Sequence, residues 1–484
     1  MASHGPTVSV ASGSRLSRWK FVGLVSLPAF GLSEIFSHWL AIRFAMKPLA
    51  QMYQYLDPAL LREDLLASLW HLHAQPPAFN AFLGIGLKLF PSKHALFFEL
   101  VYGALAVGLL AGIAAVMDRM AIPRALVGGS VFAFALTPGF MVYRDWLFYT
   151  LPVAFLLIGT LSCVELGGRR GRLSALALAS LGTLLMMTRA VFHPVWWVLV
   201  WGVLRMAPDP SRKRLRWVLL VPLLAMTCLF VKNLYLVDSL GASSWIGMNL
   251  AKRWPLSQSE MRELKARGAI PQFWGRRPFM EPPEFRPFGF FDPNSGKDLH
   301  PALGSAAKRS GEPNFNHRDY AAISSQMLEG DLYLIRHYPS RYLRRVVTSV
   351  LLFLQPGPNS VDFLVEYPSE RVHSVRRALN RLWMARDIER PIRMLTPSVN
   401  LFLPLFALLV AWGIYQSIVA KGSERVTFRV MTLTILWVFA VTNFIEIGEN
   451  DRMRWEVEPY LWVFATHGGW RLAHRAIELT RRRG

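Results

Sequence analysis

Long apolar blocks separated by short arginine-rich loops constrain this chain more than any other feature. Runs near 20–43, 94–117, 147–166 and 399–419 each approach the ~20 residues that an α-helix needs to cross a bilayer. They are continuous rather than alternating, which argues against a β-barrel. Of 484 residues, 52% are hydrophobic and 13% aromatic, too apolar for an ordinary soluble chain. The expected fold class is therefore an all-α polytopic membrane protein.

The net charge of +22 would point to nucleic acid in a soluble chain. Here Lys and Arg collect in short inter-span loops, as expected of loops retained in the cytoplasm, so no nucleic-acid partner is expected. Cys163 and Cys228 both lie in apolar runs, which excludes a disulfide framework and a cysteine-rich metal site. The first apolar run follows Arg15, Arg18 and Lys20 and lacks a convincing small-residue cleavage site. It reads as a retained signal anchor with a cytoplasmic N-terminus.

Following the basic loops from there gives about ten crossings and five regions. Residues 1–19 form a cytoplasmic tail and 20–236 an N-terminal membrane module with an outer loop at 44–77. Residues 237–395, rich in Pro, Gly and Arg, form an extracytoplasmic domain of mixed structure. Residues 396–470 hold the last membrane helices, and 471–484 a basic cytoplasmic tail. A short apolar stretch at 78–90 reads as half-inserted, and 447–456 as an outer turn. There is no internal repeat.

The polar clusters fall on the outer side under this topology. The first loop carries Asp57, Glu63 and Asp64, then His71, His73 and Gln75 before Pro76-Pro77. An acceptor hydroxyl needs a carboxylate or His as general base, and these residues supply both types. Asp57-Pro58 also fits a helix N-cap, with the other acids on its wet face. Asp145 either marks a helix end or completes an acidic pocket with that loop. Between Gly448 and Pro459, ionisable groups crowd together. Arg452 and Arg454 there suit a phosphate, since planar guanidinium donors match its oxygens, or else anchor at the interface. Glu449 and Glu456 can neutralise them. Lys232 is a further phosphate candidate, and Trp245 either stacks on a sugar or sits in an aromatic belt. Asn314 to Arg318 is polar enough for substrate contact. Glu34 and His38, near the end of the first span, rank lower.

In these residues the chain resembles the GT-C-fold membrane glycosyltransferases, in the group of protein O-mannosyltransferases and aminoarabinose transferases. Three features match in order: an acid-bearing first outer loop ending in His73-Ala-Gln-Pro-Pro77, Asp145 before the fourth span, and a late Gly-Glu-Asn-x-Arg-x-Arg run from Gly448 to Arg454. The resemblance implies transfer of a sugar from a polyprenyl-phosphate donor to a lipid, glycan or protein acceptor on the non-cytoplasmic face. The first-loop acid would be the base, with Asp57 preferred on spacing and Asp64 next, and Arg452 or Arg454 would hold the lipid phosphate. His73, Gln75, Glu449 and Trp245 would line the pocket. Some family members use a divalent metal, which Asp57, Asp64 and Asp145 could ligate, though nothing in the sequence requires one. One departure is the absence of an Asp-Glu pair soon after the first span. A transporter or flippase of lipid-linked sugars is the competing expectation; it predicts broken helices and charges deep in the spans. Arg-rich short loops lean towards a bacterial inner membrane.

Overall fold

The computed structural model describes residues 15–166, 171–206, 220–292, 296–355, 370–384 and 402–482. Basic loop residues 167–170 and 209–216, and the end of the outer block beyond 384, lie outside them. Among the described residues the chain is helical, with isolated β-bridges and no strand.

Five helices are long and apolar enough to cross a membrane. They are α1 (Arg15–Trp39, apolar over Ser17–Trp39), α6 (His94–Arg119), α12 (Leu220–Val237), α19 (Phe402–Val419) and α20 (Gly422–Ile445). Four short helices lie between α1 and α6: α2 (Pro48–Gln51), α3 (Pro58–Glu63), α4 (Leu65–Trp70) and α5 (Ala78–Leu89). After α6 come α7 (Arg124–Ala135) and α8 (Pro138–Arg144), an apolar pair bent by 62° where Pro138 interrupts the ladder. Then follow α9 (Thr150–Leu166), α10 (Gly171–Thr188) and α11 (Pro194–Arg205), apolar but shorter. One end of this bundle is basic: Arg18 of α1 and Arg124 of α7 both pair with Asp118 of α6, at 2.7 and 3.1 Å. Those residues fall on the side that the positive-inside rule assigns to the cytoplasm.

The block after α12 was expected to be mixed. Its described part is helical instead: α13 (Ile246–Ala251), α14 (Gln258–Ala266), α15 (Pro301–Gly304), α16 (Arg318–His337), α17 (Pro339–Phe353) and α18 (Glu370–Met384). The proline-rich stretch between α14 and α15 forms two 3₁₀ turns, Pro282–Glu284 and Arg286–Phe288, because frequent prolines remove the donors a sheet ladder needs. The apolar run at 346–354 is the end of α17. Its Phe353 meets Phe406 and Phe439 of α19 and α20 at 5.8 and 5.3 Å, so the outer block is anchored in the bundle.

A second correction concerns 447–456. Only its start is a turn; from Asn450 the chain is one helix, α21 (Asn450–Arg481), with Pro459 inside it. The charged residues expected to face water are buried in its first turns, so packing carries the helix through them.

Candidate functional site

The loop 44–77 is held by three distant stretches of chain. At its start, Ala45 N–H donates to the Asp145 carbonyl (2.7 Å), and the Tyr55 hydroxyl donates to Leu147 O (2.9 Å). In its middle, Lys308 donates to the carbonyls of Ala50 and Met52 (3.2 and 2.8 Å). At its end, Lys232 donates to Leu72 O, and Ser243 Oγ to Ala74 O (2.6 Å). Pro76-Pro77 then ends the loop and α5 begins at Ala78, since proline is suited to a first turn.

His73 is the centre of this closure. Its ring is buried, with Nε2 2.8 Å from the Asn316 carbonyl and Nδ1 2.8 Å from Ser244 Oγ. A carbonyl can only accept, so Nε2 carries the proton and Nδ1 accepts from the serine. Burial pulls the imidazole down to about 3, and it stays neutral. Asn316 uses its whole amide here: Oδ1 accepts from His73 and Ala74 N–H (2.9 and 3.0 Å), and Nδ2 donates to His71 and Ala302 O (3.0 Å each). The Asn314 to Arg318 stretch is thus a clamp on the loop. Gln75 is half-buried beside it.

The three candidate acids have different settings. Asp57 is the N-cap of α3: one carboxylate oxygen accepts Ala59 N–H at 2.9 Å, the other Arg309 N–H at 2.6 Å. Both oxygens are engaged by backbone. Asp145 is buried against Arg144, which also pairs with Glu34 and lies over the Phe30 ring (5.5 Å). Burial raises the Asp145 carboxyl, and the Arg144 guanidinium works against that rise. Asp64 lies between α3 and α4, its side chain 56% exposed and 3.5 Å from His300 Nε2. The His300 ring stacks on His71 at 4.5 Å. Glu63 binds Arg309 through two 2.6 Å bonds. Among the described residues no three His, Cys, Asp or Glu side chains converge as metal ligands, so Asp57, Asp64 and Asp145 do not come together as one ligand set.

The basic candidates separate in the same way. Lys232 is occupied by the Leu72 carbonyl. Arg454 donates to Glu458 (2.9 Å) and to Gln355 O (3.1 Å) and lies over Phe402 (4.6 Å). Trp245 is buried, its indole N–H on Phe315 O at 3.2 Å and its ring edge-on to Phe279 at 5.2 Å, so it offers no open face to a sugar. Arg452 stands apart. Its guanidinium is buried 4.5 Å from the Phe148 ring and 5.5 Å from Tyr149, and it pairs with Glu449. On the other contact of Tyr149 lies Arg189, 4.6 Å from that ring and donating to its hydroxyl. Arg189 Nε is 3.2 Å from Glu456 Oε1. Nε and Nη1 of Arg452, Nη2 of Arg189 and both Glu456 oxygens make no hydrogen bond, though all are buried.

Two guanidiniums, a tyrosine and a carboxylate thus meet where α9, α10 and α21 begin or end. Buried donors without acceptors are costly, and an anion with several oxygens is the ligand that satisfies them. Of these residues the sequence singled out Arg452 and paired Glu456 with it only as a neutraliser. No sequence pattern marks Arg189 or Tyr149. The one signal available was an arginine between two apolar runs. Comparison with protein-family models, with curated proteins and with solved structures found no match.

Proposed function

We propose that this chain is a membrane glycosyltransferase of about ten crossings, taking a sugar from a polyprenyl-phosphate donor and passing it to an acceptor on the extracytoplasmic face, in a bacterial inner membrane. The observation that carries the reading is the buried Arg189–Tyr149–Arg452 cluster with its unpartnered donors. It lies at the end of the bundle where the acid-bearing loop is strapped down: Phe79, just after that loop, meets Tyr149 at 5.8 Å.

In this mechanism the guanidiniums stabilise the phosphate as the sugar–phosphate bond breaks, because the charge grows on its oxygens. A first-loop carboxylate takes the proton of the attacking hydroxyl. Asp64 suits that role better than Asp57 or Asp145, being exposed while the other two are buried and engaged. The apolar tail of the donor lies along the lipid-facing helices.

The test is transfer of labelled sugar from a set of polyprenyl-phosphate donors by the purified protein. Turnover should fall by at least about 100-fold in R452A, the scale of losing a charge-stabilising donor. D64N should lose turnover while remaining folded, and D57N should lose stability first. Turnover unchanged in R452A sinks the assignment. A flippase reading draws on the 62° break between α7 and α8. It predicts movement of lipid-linked sugar across vesicles with no sugar transferred.

A further inference from the structure

We infer that Glu456 is the internal counter-ion of the arginine cluster, and that it takes up a proton when a phosphate enters between Arg189 and Arg452. The inference rests on the phosphate reading above and adds a proton to it.

Charge balance carries it. Arg189 and Arg452 contribute two positive charges, Glu449 and Glu456 two negative ones. These four formal charges sum to zero. A lipid phosphate monoester above about pH 7 is a dianion and brings two further negative charges into a buried site. Uncompensated charge there is costly, so both carboxylates have to leave or be neutralised. Glu449 can leave: it precedes α21, and its side chain is 32% exposed. Glu456 cannot, because its side chain is 0% exposed, two turns into the same helix. The groups facing it are Arg189 after α10, Tyr149 before α9, and Arg452 and Glu449 of α21. Arg189 faces Oε1 as an ion pair at 3.2 Å without a formed hydrogen bond, and neither oxygen accepts one from the other groups. A proton from solvent removes the charge and gives the carboxyl an O–H to donate to a phosphate oxygen. Glu456 is thus a positioning residue whose ionisation sets the affinity of the site.

The experiment is calorimetric titration of the purified full chain in detergent with farnesyl phosphate, in buffers of different ionisation heat. Work above about pH 7.5 keeps the probe a dianion, its second pKa being about 6. The wild type should take up about one proton per probe bound, and affinity should fall about tenfold per pH unit. E456Q should bind without that uptake, nearly independent of pH, and at least as tightly as wild type at the upper end. R452A should not bind. Binding to wild type without proton uptake overturns the inference, as does unchanged uptake in folded E456Q or no binding at all. If E456Q does not fold, judged by its near-ultraviolet spectrum, the wild-type proton count decides. Proton-linked binding with no sugar transfer from any donor would sink the transferase and leave this inference standing. Transfer without proton uptake would do the reverse.

Discussion

At the scale of single residues, the charged and polar groups divide between those that hold the chain and those left with bonds unmade. Asp57 was legible as an N-cap from Asp57-Pro58 alone, because that pairing is local. The sequence makes His73, Lys232 and Trp245 candidate substrate contacts, yet each is spent on a backbone carbonyl far along the chain. The same distance hides the cluster: Arg189 and Glu456 are 267 residues apart (456 − 189), and no spacing rule connects them. His73 gives a pH prediction. Its folded value, about 3, lies below the ordinary 6.5, so between these values the unfolded chain binds more protons. Its contribution to stability is whole above about pH 6.5 and is lost as pH falls through that window, by about 1.4 kcal/mol per unit. Acid unfolding followed by tryptophan fluorescence should show this slope in wild type and a shallower one in H73Q. Equal slopes would mean that His73 is not the titrating group.

At the scale of elements, hydropathy and proline set most boundaries. The helix starting after Pro77 and the spans read at 94–117 and 399–419 follow the sequence closely within the described residues, because lipid-facing apolar length needs no tertiary partner. Elements whose form depends on burial did not. The first turns of α21 looked like a wet turn, and the outer block looked mixed, because both are shaped by neighbours. The packing of α13 on α16 shows how tight such a neighbour can be. Gly247 N–H donates to Ser324 Oγ at 3.1 Å, and a Cβ there would lie 1.9 Å from Ser324 O and 2.6 Å from Leu328 N. Backbone cannot yield as a side chain can. Gly247→Ala should therefore destabilise by about 1–3 kcal/mol, the cost of overpacking, and lower the melting temperature. An unchanged melting curve would show that the two helices separate freely.

At the scale of the whole molecule, α21 links the two ends of the bundle. Its 32 residues extend about 48 Å at 1.5 Å each, more than the ~30 Å apolar core of a bilayer. Arg452 lies at one end, while His467 and Glu424 meet at 3.2 Å towards the other, where α20 begins. Single cysteines placed in a cysteine-free background check the sidedness. In sealed, right-side-out vesicles an impermeant thiol reagent should label R262C, on exposed α14, and leave S423C, at the start of α20, untouched. Labelling of S423C alone would reverse the topology, and labelling of both would refute it.

The clamp on the first loop also sets an order of events during synthesis. His73 leaves the ribosome 243 residues before Asn316, the partner that fixes its backbone and ring. Until that second stretch is made, the end of the loop lacks its Asn316 clamp, although Asp145, Leu147, Lys232 and Ser243 are already in place to hold the rest. This closure is therefore completed late, after the early helices have been made, and a nascent chain halted before Asn316 would carry the loop without it.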